Sequence, residues 1–190
     1  PHGCDVDPTG EYIVGSGKLA ALIPVFSFDK MINAIGKKDY EGDYEGIPVL
    51  KYNSVLHGEV QKPGLGPLHT EFDGKGNAYT TFFVSSEVVK WDIKTLKVLD
   101  RVPTYYSVGH WCIPGGDSKK PFVKYLIAYN KITKDRYLPT GPELTQSAQL
   151  YDISGDKMQL LLDFPTIGEP HYAQAAPADL IRNNGQLKIY

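Results

Sequence analysis

The chain has 190 residues, of which 42% are hydrophobic and 22% charged, and its formal net charge is −2. This composition is that of an ordinary globular domain, and without a long run of Lys and Arg it excludes a nucleic-acid surface. No window approaches the roughly 20 apolar residues that a membrane-spanning helix needs. The 19 Gly, 14 Pro and 13 Tyr residues favour strands and turns over helices.

The first third of the chain predicts strands that are interrupted by an insertion. Strands are expected over residues 11–16 and 20–28, the first of them after a turn at residues 7–10. A short helix could lie within residues 31–44, but the charged tract 37–43 indicates a solvated insertion. Residues 47–60 are predicted to form another pair of strands.

The middle of the chain has the pattern of a β-propeller blade. A Gly-Pro bend leads to His69, a turn follows at residues 73–77, and an aromatic, β-branched strand covers residues 79–84. A further strand ends in Trp91-Asp92, and residues 94–102 are its predicted hairpin partner. This order of turns and strands with a closing Trp-Asp is typical of propeller blades.

The last third repeats this pattern. Strands are predicted over residues 124–129, 148–153 and 158–164, with a loop that carries Pro139, Gly141 and Pro142 after the first of them. Residues 179–190, with an Asn-Gly turn, are predicted to begin one more unit. A propeller needs about 4 to 8 blades to close, so three blades and a beginning predict an all-β, partial propeller. The first residue, Pro1, indicates either a processed chain or a piece of a longer protein. Because three blades and a beginning cannot close a ring, we expect a piece.

Histidines recur at one phase of this repeat. His2, His69 and His110 each precede a turn aspartate and a strand, and His171 opens the last unit more loosely. Equivalent positions of successive blades face one axis, so these imidazoles are expected to converge. Neutral imidazoles without carboxylates between them suit copper or zinc better than calcium or magnesium. His57 lies outside the pattern and is predicted to be a surface or structural residue.

Three other residues near the phased histidines have two readings. Cys4 and Cys112 each follow a phased histidine by two residues, which places them on the same strand face as potential ligands. They could equally be small buried residues. Lys131 follows an inner strand and could be either an exposed turn lysine or part of the site.

The motifs around the four histidines resemble those of the multicopper nitrous-oxide reductases. The resemblance covers essentially the whole chain and is carried by residues 1–10 (PHGCDVDPTG), 66–70 (GPLHT), 109–117 (GHWCIPGGD) and 169–171 (EPH). It implies an N-terminal seven-bladed propeller with a tetranuclear copper–sulfide centre, CuZ, and a C-terminal cupredoxin domain with the dinuclear CuA centre. It also implies the last step of denitrification, the reduction of nitrous oxide to dinitrogen and water.

By this resemblance, residues 1–190 belong to the N-terminal propeller domain, and the cupredoxin domain with CuA lies outside the chain. His2, His69, His110 and His171 would be four of the seven histidines that bind CuZ. Cys4 and Cys112 would then not be ligands, because the family uses imidazoles and inorganic sulfide. Lys131 would be a catalytic residue that hydrogen-bonds the substrate oxygen and assists its protonation.

The resemblance carries further expectations about ions, partners and location. Lys131 and an acidic residue about fifteen positions further are associated with calcium, but Gln146 stands at that position unless the acid has shifted to Glu143. A neutral amide is the weaker calcium ligand. A periplasmic protein, a cytochrome c or cupredoxin electron donor and a homodimer of the full-length protein are also implied.

Two other functions remain compatible with the residues alone. The propeller could be a non-catalytic interaction module with structural histidines, or a zinc hydrolase with an open position beside about three ligands. The sequence offers no convincing general base for a hydrolase. Bound copper would separate a reductase from an interaction module.

Overall fold

Three antiparallel sheets follow one another along the chain. The computed structural model describes residues 1–122, 124–131, 146–166 and 168–183. The elements in chain order are β1 (Cys4–Val6), β2 (Tyr12–Gly15), β3 (Leu22–Ser27), α1 (Phe28–Lys37), β4 (Tyr40–Tyr44), β5 (Ile47–Leu50), α2 (Tyr52–Val55), β6 (Leu56–Gln61), β7 (Pro67–Phe72), β8 (Asn77–Phe82), β9 (Glu87–Asp92), β10 (Val98–Pro103), β11 (Val108–Cys112), β12 (Tyr125–Asn130), β13 (Ser147–Asp152), β14 (Gln159–Pro165) and α3 (Ala178–Asn183).

Each of the three sheets has four strands and the order of a propeller blade. Blade 1 has the order β1-β2-β3-β6, blade 2 the order β7-β8-β9-β10 and blade 3 the order β11-β12-β13-β14. Neighbouring strands within each blade are antiparallel. The prediction of an all-β, partial propeller is therefore confirmed. The strands expected in the middle and the last third of the chain are present, with ends shifted by a few residues.

Blade 2 shows why its sequence forms this unit. The carboxylate of Asp73 accepts hydrogen bonds from the backbone N–H groups of Lys75 (2.7 Å) and Asn77 (3.1 Å), which closes the turn between β7 and β8. The indole of Trp91 is buried and donates to the Thr80 hydroxyl at 2.9 Å. The turn aspartate and the closing tryptophan thus hold the ends of the blade's middle strands.

Apolar side chains fill the spaces between successive blades. One buried cluster joins blade 1, with Val14 and Val60 among its members, to blade 2, with Phe82 and Trp91. A second cluster joins blade 2 to blade 3 and contains residues such as Tyr79, from the opposite face of β8. Both faces of blade 2 are therefore covered, which explains why β8 and β9 are buried along nearly their whole length.

The insertion in blade 1 differs from its prediction. Helix α1 begins before residue 31, because the Ser27 hydroxyl caps it by accepting from Lys30 N–H at 3.1 Å. Residues 37–43 are mostly exposed and lie in an insertion, as predicted, but they also have regular structure: β4 pairs with β5 in a hairpin whose turn is closed by Gly46 N–H donating to Asp43 at 2.8 Å. Residues 47–60 are not a strand pair, because β5 joins this hairpin and β6 joins β3.

The end of the described chain is also not as predicted. Residues 178–183 form the short helix α3, whereas residues 184–190, with the predicted Asn-Gly turn, lie outside the described residues. The loop containing Pro139, Gly141 and Pro142 lies outside them as well. In the parts of the chain that the structure describes, no helix is long and apolar enough to cross a membrane.

Candidate metal centre

Three of the phased histidines lie on or beside the first strand of a blade. His69 lies in β7 and His110 in β11, while His2 precedes β1 by two residues. His171 lies in an irregular segment after β14. First strands of successive blades are neighbours, and Thr81 of β8 donates from its hydroxyl to the Gly109 carbonyl at 2.7 Å. The propeller arrangement therefore brings these histidines to one place from distant positions in the chain.

The four imidazoles form a continuous row. The ring centroids of His2 and His69 are 5.1 Å apart, those of His69 and His110 are 4.3 Å apart, and those of His110 and His171 are 4.3 Å apart. The first pair meets edge to face at 69°, and the next two are tilted by 30° and 37°. All four histidines singled out from the sequence are thus in mutual contact.

Burial keeps the central imidazoles neutral. It lowers the pKa of His69 to about 4, with the charges of His2 and Lys131 acting in the same direction. Burial, followed by the charge of Lys131, lowers the pKa of His110 to about 3. Since the neutral ring is the form that offers a lone pair to a metal, both histidines are in the ligand state at neutral pH.

Two ring nitrogens in the row lack a hydrogen-bond partner. His69 Nε2 and His110 Nδ1 are buried and bond to no group that the structure describes. A buried polar atom without a partner costs about 1–3 kcal/mol, so such atoms in native proteins call for an explanation. Metal ions would satisfy both nitrogens, and a row of four imidazoles is a donor set suited to copper. The residues therefore fit a copper centre.

The row does not surround one point. The rings of neighbouring histidines pack side by side. Among the described residues, no group of three or more His, Cys, Asp or Glu side chains is placed so that it could hold a metal ion. The type of donor, and not a preformed coordination geometry, is therefore what fits copper.

Lys131 lies at the His171 end of the row. Its Nζ donates to His171 Nδ1 at 3.1 Å and lies 3.9 Å from the Glu169 carboxylate. Lys131 is only 8% exposed, so the reading as an exposed turn lysine is wrong. Burial lowers the pKa of its ammonium group, against the raising effect of Glu169. A metal at His171 Nδ1 would have to displace this lysine hydrogen bond.

Two glycines make room for this centre. A Cβ on Gly3, next to His2, would lie 2.0 Å from the Leu68 carbonyl oxygen, next to His69. A Cβ on Gly109, next to His110, would lie 2.2 Å from Lys131 Cε. The first glycine lets two blades approach closely, and the second gives the lysine side chain its path across β11.

The remaining predicted residues have separate environments. Cys112 is buried, and burial raises the pKa of its thiol to about 11, which disfavours the thiolate that binds metals. Cys4 is exposed, so its reading as a small buried residue is wrong. His57 is structural, because its ring packs on Tyr12 (4.8 Å between centroids) and its Nε2 donates to the Lys94 carbonyl at 3.0 Å.

Of the predicted calcium residues, only part is described. The Gln146 carbonyl accepts from Thr166 N–H at 2.7 Å, and Glu143 lies outside the described residues.

Sequence reasoning missed a group of carboxylates beside the histidines. Asp5, Glu71 and Asp117 line a cavity of about 250 Å³ together with His69 and His110. Burial raises the pKa of Asp5 to about 6 and that of Glu71 to about 8. A signal existed in the sequence, because Asp5 and Glu71 follow phased histidines by three and two residues. Of these three residues, only Asp117 belongs to the turn aspartates of the sequence repeat.

Comparison with known proteins agrees with this geometry. Residues 101–171 match the family model described as "Nitrous oxide reductase propeller repeat". The chain is 36% identical to the nitrous-oxide reductase of Stutzerimonas stutzeri over 96% of its own length, and 37% identical to that of Cupriavidus necator over 96%. It spans 28% of the length of each of these relatives. The nitrous-oxide reductase of Ralstonia nicotianae is 37% identical over 90% of the chain.

A solved structure supports the fold alone. A chain in the crystal structure of a mitotic checkpoint complex superposes with a TM-score of 0.62 at 8% sequence identity, covering 90% of this chain and 41% of that one. The curated relatives, the matched repeat and the three blades with their row of histidines agree with one another. The chain corresponds to a stretch of the propeller of these relatives. It therefore belongs to the nitrous-oxide reductase family.

Proposed function

We propose that this chain supplies four histidine ligands of the CuZ centre of a nitrous-oxide reductase. The row His2–His69–His110–His171, with two buried ring nitrogens that lack a partner, is the observation that carries the proposal. Residues 1–190 would belong to the N-terminal propeller domain, and the remaining CuZ ligands and the CuA cupredoxin domain would lie elsewhere in the longer protein. The reaction is N₂O + 2H⁺ + 2e⁻ → N₂ + H₂O.

The copper–sulfide centre, when bound, would supply the electrons for this reduction. The contribution of the histidines is rigidity, because His2, His69 and His110 come from three different blades and the central two rings are partly buried. Their low pKa values keep the rings unprotonated at neutral pH, so protons do not compete with the metal. A binding group held by several blades keeps its geometry when electrons arrive and leave.

Lys131 is the proposed proton donor at this site. Its Nζ points at the edge of the row marked by His171, and burial makes its ammonium group a better acid than an exposed lysine. Glu169 lies 3.9 Å from Nζ and is half exposed, which places a carboxylate between the lysine and solvent. Lys131 would donate a proton from Nζ to the substrate oxygen and would be reprotonated from solvent.

The wider context is proposed on the same family grounds. A periplasmic location, electron delivery by a cytochrome c or a cupredoxin, and a homodimer of the longer protein fit a nitrous-oxide reductase. Calcium at Lys131 and Gln146 fits the residues less well, since the side chain of Gln146 offers an amide oxygen instead of a carboxylate.

Histidine variants of the full-length protein test the proposal. We expect His69→Ala and His110→Ala to lose most of the copper and sulfide and at least about 100-fold in turnover, because each change removes a ligand. The matched control is His57→Ala, which removes a histidine with structural contacts only and should keep copper content and turnover. Full copper loading and turnover in His69→Ala or His110→Ala would refute the ligand assignment.

The copper and sulfide content also distinguishes the proposed function from that of a non-catalytic interaction module. A non-catalytic interaction module would purify without stoichiometric copper and sulfide, and its histidine variants would differ in stability alone. We also expect the 190 residues by themselves to bind no complete cluster, because only part of the ligand set lies in them. Four coppers with sulfide on the isolated chain would contradict that expectation.

A further inference from the structure

The inner strands of neighbouring blades are joined by side chains that closely follow the histidines. The Asp5 carboxylate of blade 1 accepts a hydrogen bond from Thr70 N–H of blade 2 at 2.7 Å. The Glu71 carboxylate of blade 2 accepts one from Ile113 N–H of blade 3 at 2.5 Å. Asp5 lies three residues after His2, and its donor Thr70 lies one residue after His69. Glu71 lies two residues after His69, and its donor Ile113 lies three residues after His110.

The geometry of an edge strand explains why these acceptors are needed. β7 and β11 are the innermost strands of their blades, and each pairs on one side only. Every second N–H group of such a strand points away from its partner and lacks a ladder acceptor. Thr70 of β7 carries one of these groups, and Ile113, directly after the end of β11, carries another free N–H; the preceding blade satisfies both.

The position of the carboxylates is energetically expensive. Asp5 and Glu71 line the same cavity as Asp117, and both are largely buried. Burying an acidic group in a site crowded with other carboxylates is unfavourable unless hydrogen bonds compensate. The hydrogen bonds from Thr70 and Ile113 supply part of this compensation.

We propose that Asp5 and Glu71 are positioning residues, which set the spacing of the imidazole row by bonding each histidine strand to the next blade. A bond to the residue directly after His69 restrains that strand along the row, and the bond to Ile113 does the same for the strand of His110. The inference rests on the proposed function only in so far as the row binds copper.

Paired variants of the full-length, copper-loaded protein test this role. Asp5→Ala and Glu71→Ala remove the acceptor, and we expect copper affinity to fall about 10- to 100-fold, as with other groups that orient metal ligands. Asp5→Asn and Glu71→Gln retain an acceptor oxygen, so they should recover most of this loss and the absorption spectrum of the centre. Unchanged copper affinity in both alanine variants would overturn the proposal.

A carboxylate away from the row is the matched control. Asp92 accepts hydrogen bonds from Lys94 N–H (3.1 Å) and Thr95 N–H (2.6 Å) in a turn after β9. Asp92→Ala also removes a carboxylate that accepts from the backbone, yet copper affinity should stay within about twofold of the original protein. If Asp92→Ala lowered copper affinity as much as Asp5→Ala, any hydrogen bond from the backbone to a carboxylate would have this effect. The bonds of the inner strands would then have no special role.

Measurements on the metal-free full-length protein separate this inference from the proposed function. We expect the amides of Thr70 and Ile113 to exchange slowly with solvent, and magnetisation transfer between the His2 and His69 rings to weaken in Asp5→Ala. If the original protein bound no copper but the rings moved apart in Asp5→Ala, the metal proposal would fail and the positioning role would stand. Fast exchange at both amides would overturn the positioning role even if alanine variants failed to fold.

Discussion

Blade 1 differs from blades 2 and 3 at its outer side and agrees with them at its inner side. Between β3 and β6 it accommodates residues 28–55, including a helix whose Phe28 and Ile32 are 49% and 52% exposed. Beside β1, by contrast, there is no space for one methyl group on Gly3. The perimeter of a blade faces solvent and tolerates insertions, whereas the inner strands of successive blades share one axis and leave no room to adjust.

The largest test of this contrast is the same substitution at two glycines. Gly3→Ala should destabilise the protein by about 2–3 kcal/mol, because the new Cβ meets the Leu68 carbonyl oxygen, a backbone atom that cannot turn away. Gly36→Ala, in α1 with nothing near its Cβ, should stabilise it by about 0.5–1 kcal/mol. Urea unfolding of both variants gives the two free energies. Equal effects at both sites would remove the distinction between axis and perimeter.

A second glycine tests the axis through activity. Gly109→Ala should leave the fold intact, because the clashing atoms belong to the flexible Lys131 side chain, but it should push Nζ away from His171. We expect about a tenfold fall in kcat, equivalent to about 1.4 kcal/mol, with copper content retained. Gly42→Ala, in the exposed β4–β5 hairpin with open space around it, is the control. If Gly109→Ala had the same turnover as the original protein, the position of Lys131 would not matter for catalysis.

Between axis and perimeter, the polar contacts inside blade 2 should have an intermediate effect. Thr80→Val removes the hydroxyl that accepts from Trp91 Nε1 and bonds to the Thr70 hydroxyl at 2.7 Å. The buried indole N–H would then lack a partner, which should cost about 1–3 kcal/mol. Combining it with Trp91→Phe in a double-mutant cycle isolates this bond, and strictly additive free energies would show that the bond contributes nothing.

The smallest effect is expected at a perimeter carboxylate, with a pH dependence. Asp100 of β10 accepts from Lys157 Nζ (2.9 Å) and Met158 N–H (2.8 Å) of blade 3. Burial by itself would raise the pKa of Asp100, but these hydrogen bonds lower it overall. A lowered folded-state pKa contributes stability above the ordinary Asp pKa of about 3.9, and this contribution is lost as pH falls through the folded-state value.

Asp100→Asn should therefore cost up to about 1 kcal/mol at pH 7 and nothing in strong acid. Unfolding free energies at the two pH values measure this difference. Asp156→Asn, at an exposed aspartate beside Lys157, is the control and should show no such change. A cost of Asp100→Asn that persists at low pH would mean that the carboxylate acts through packing and not through its charge.

The sequence by itself determined the blade pattern and the phase of the histidines. Turn aspartates such as Asp73, the Trp91-Asp92 ending and alternating strands are local signals, since each depends on residues a few positions apart. The row of four imidazoles followed from that repeat, because equivalent positions of neighbouring blades must face the same axis. The family resemblance then predicts a copper centre and a reaction for this row.

Only the tertiary structure decided how the row is held. The bonds of Asp5 to Thr70 and of Glu71 to Ile113 join residues that are far apart in the chain, so no local pattern announces them. The path of Lys131 across Gly109 and the pairing of β4 with β5 likewise depend on which segments meet in space. A repeat fixes which residues face the axis, whereas contacts between blades fix their distances, because those contacts exist only after the sheets have packed.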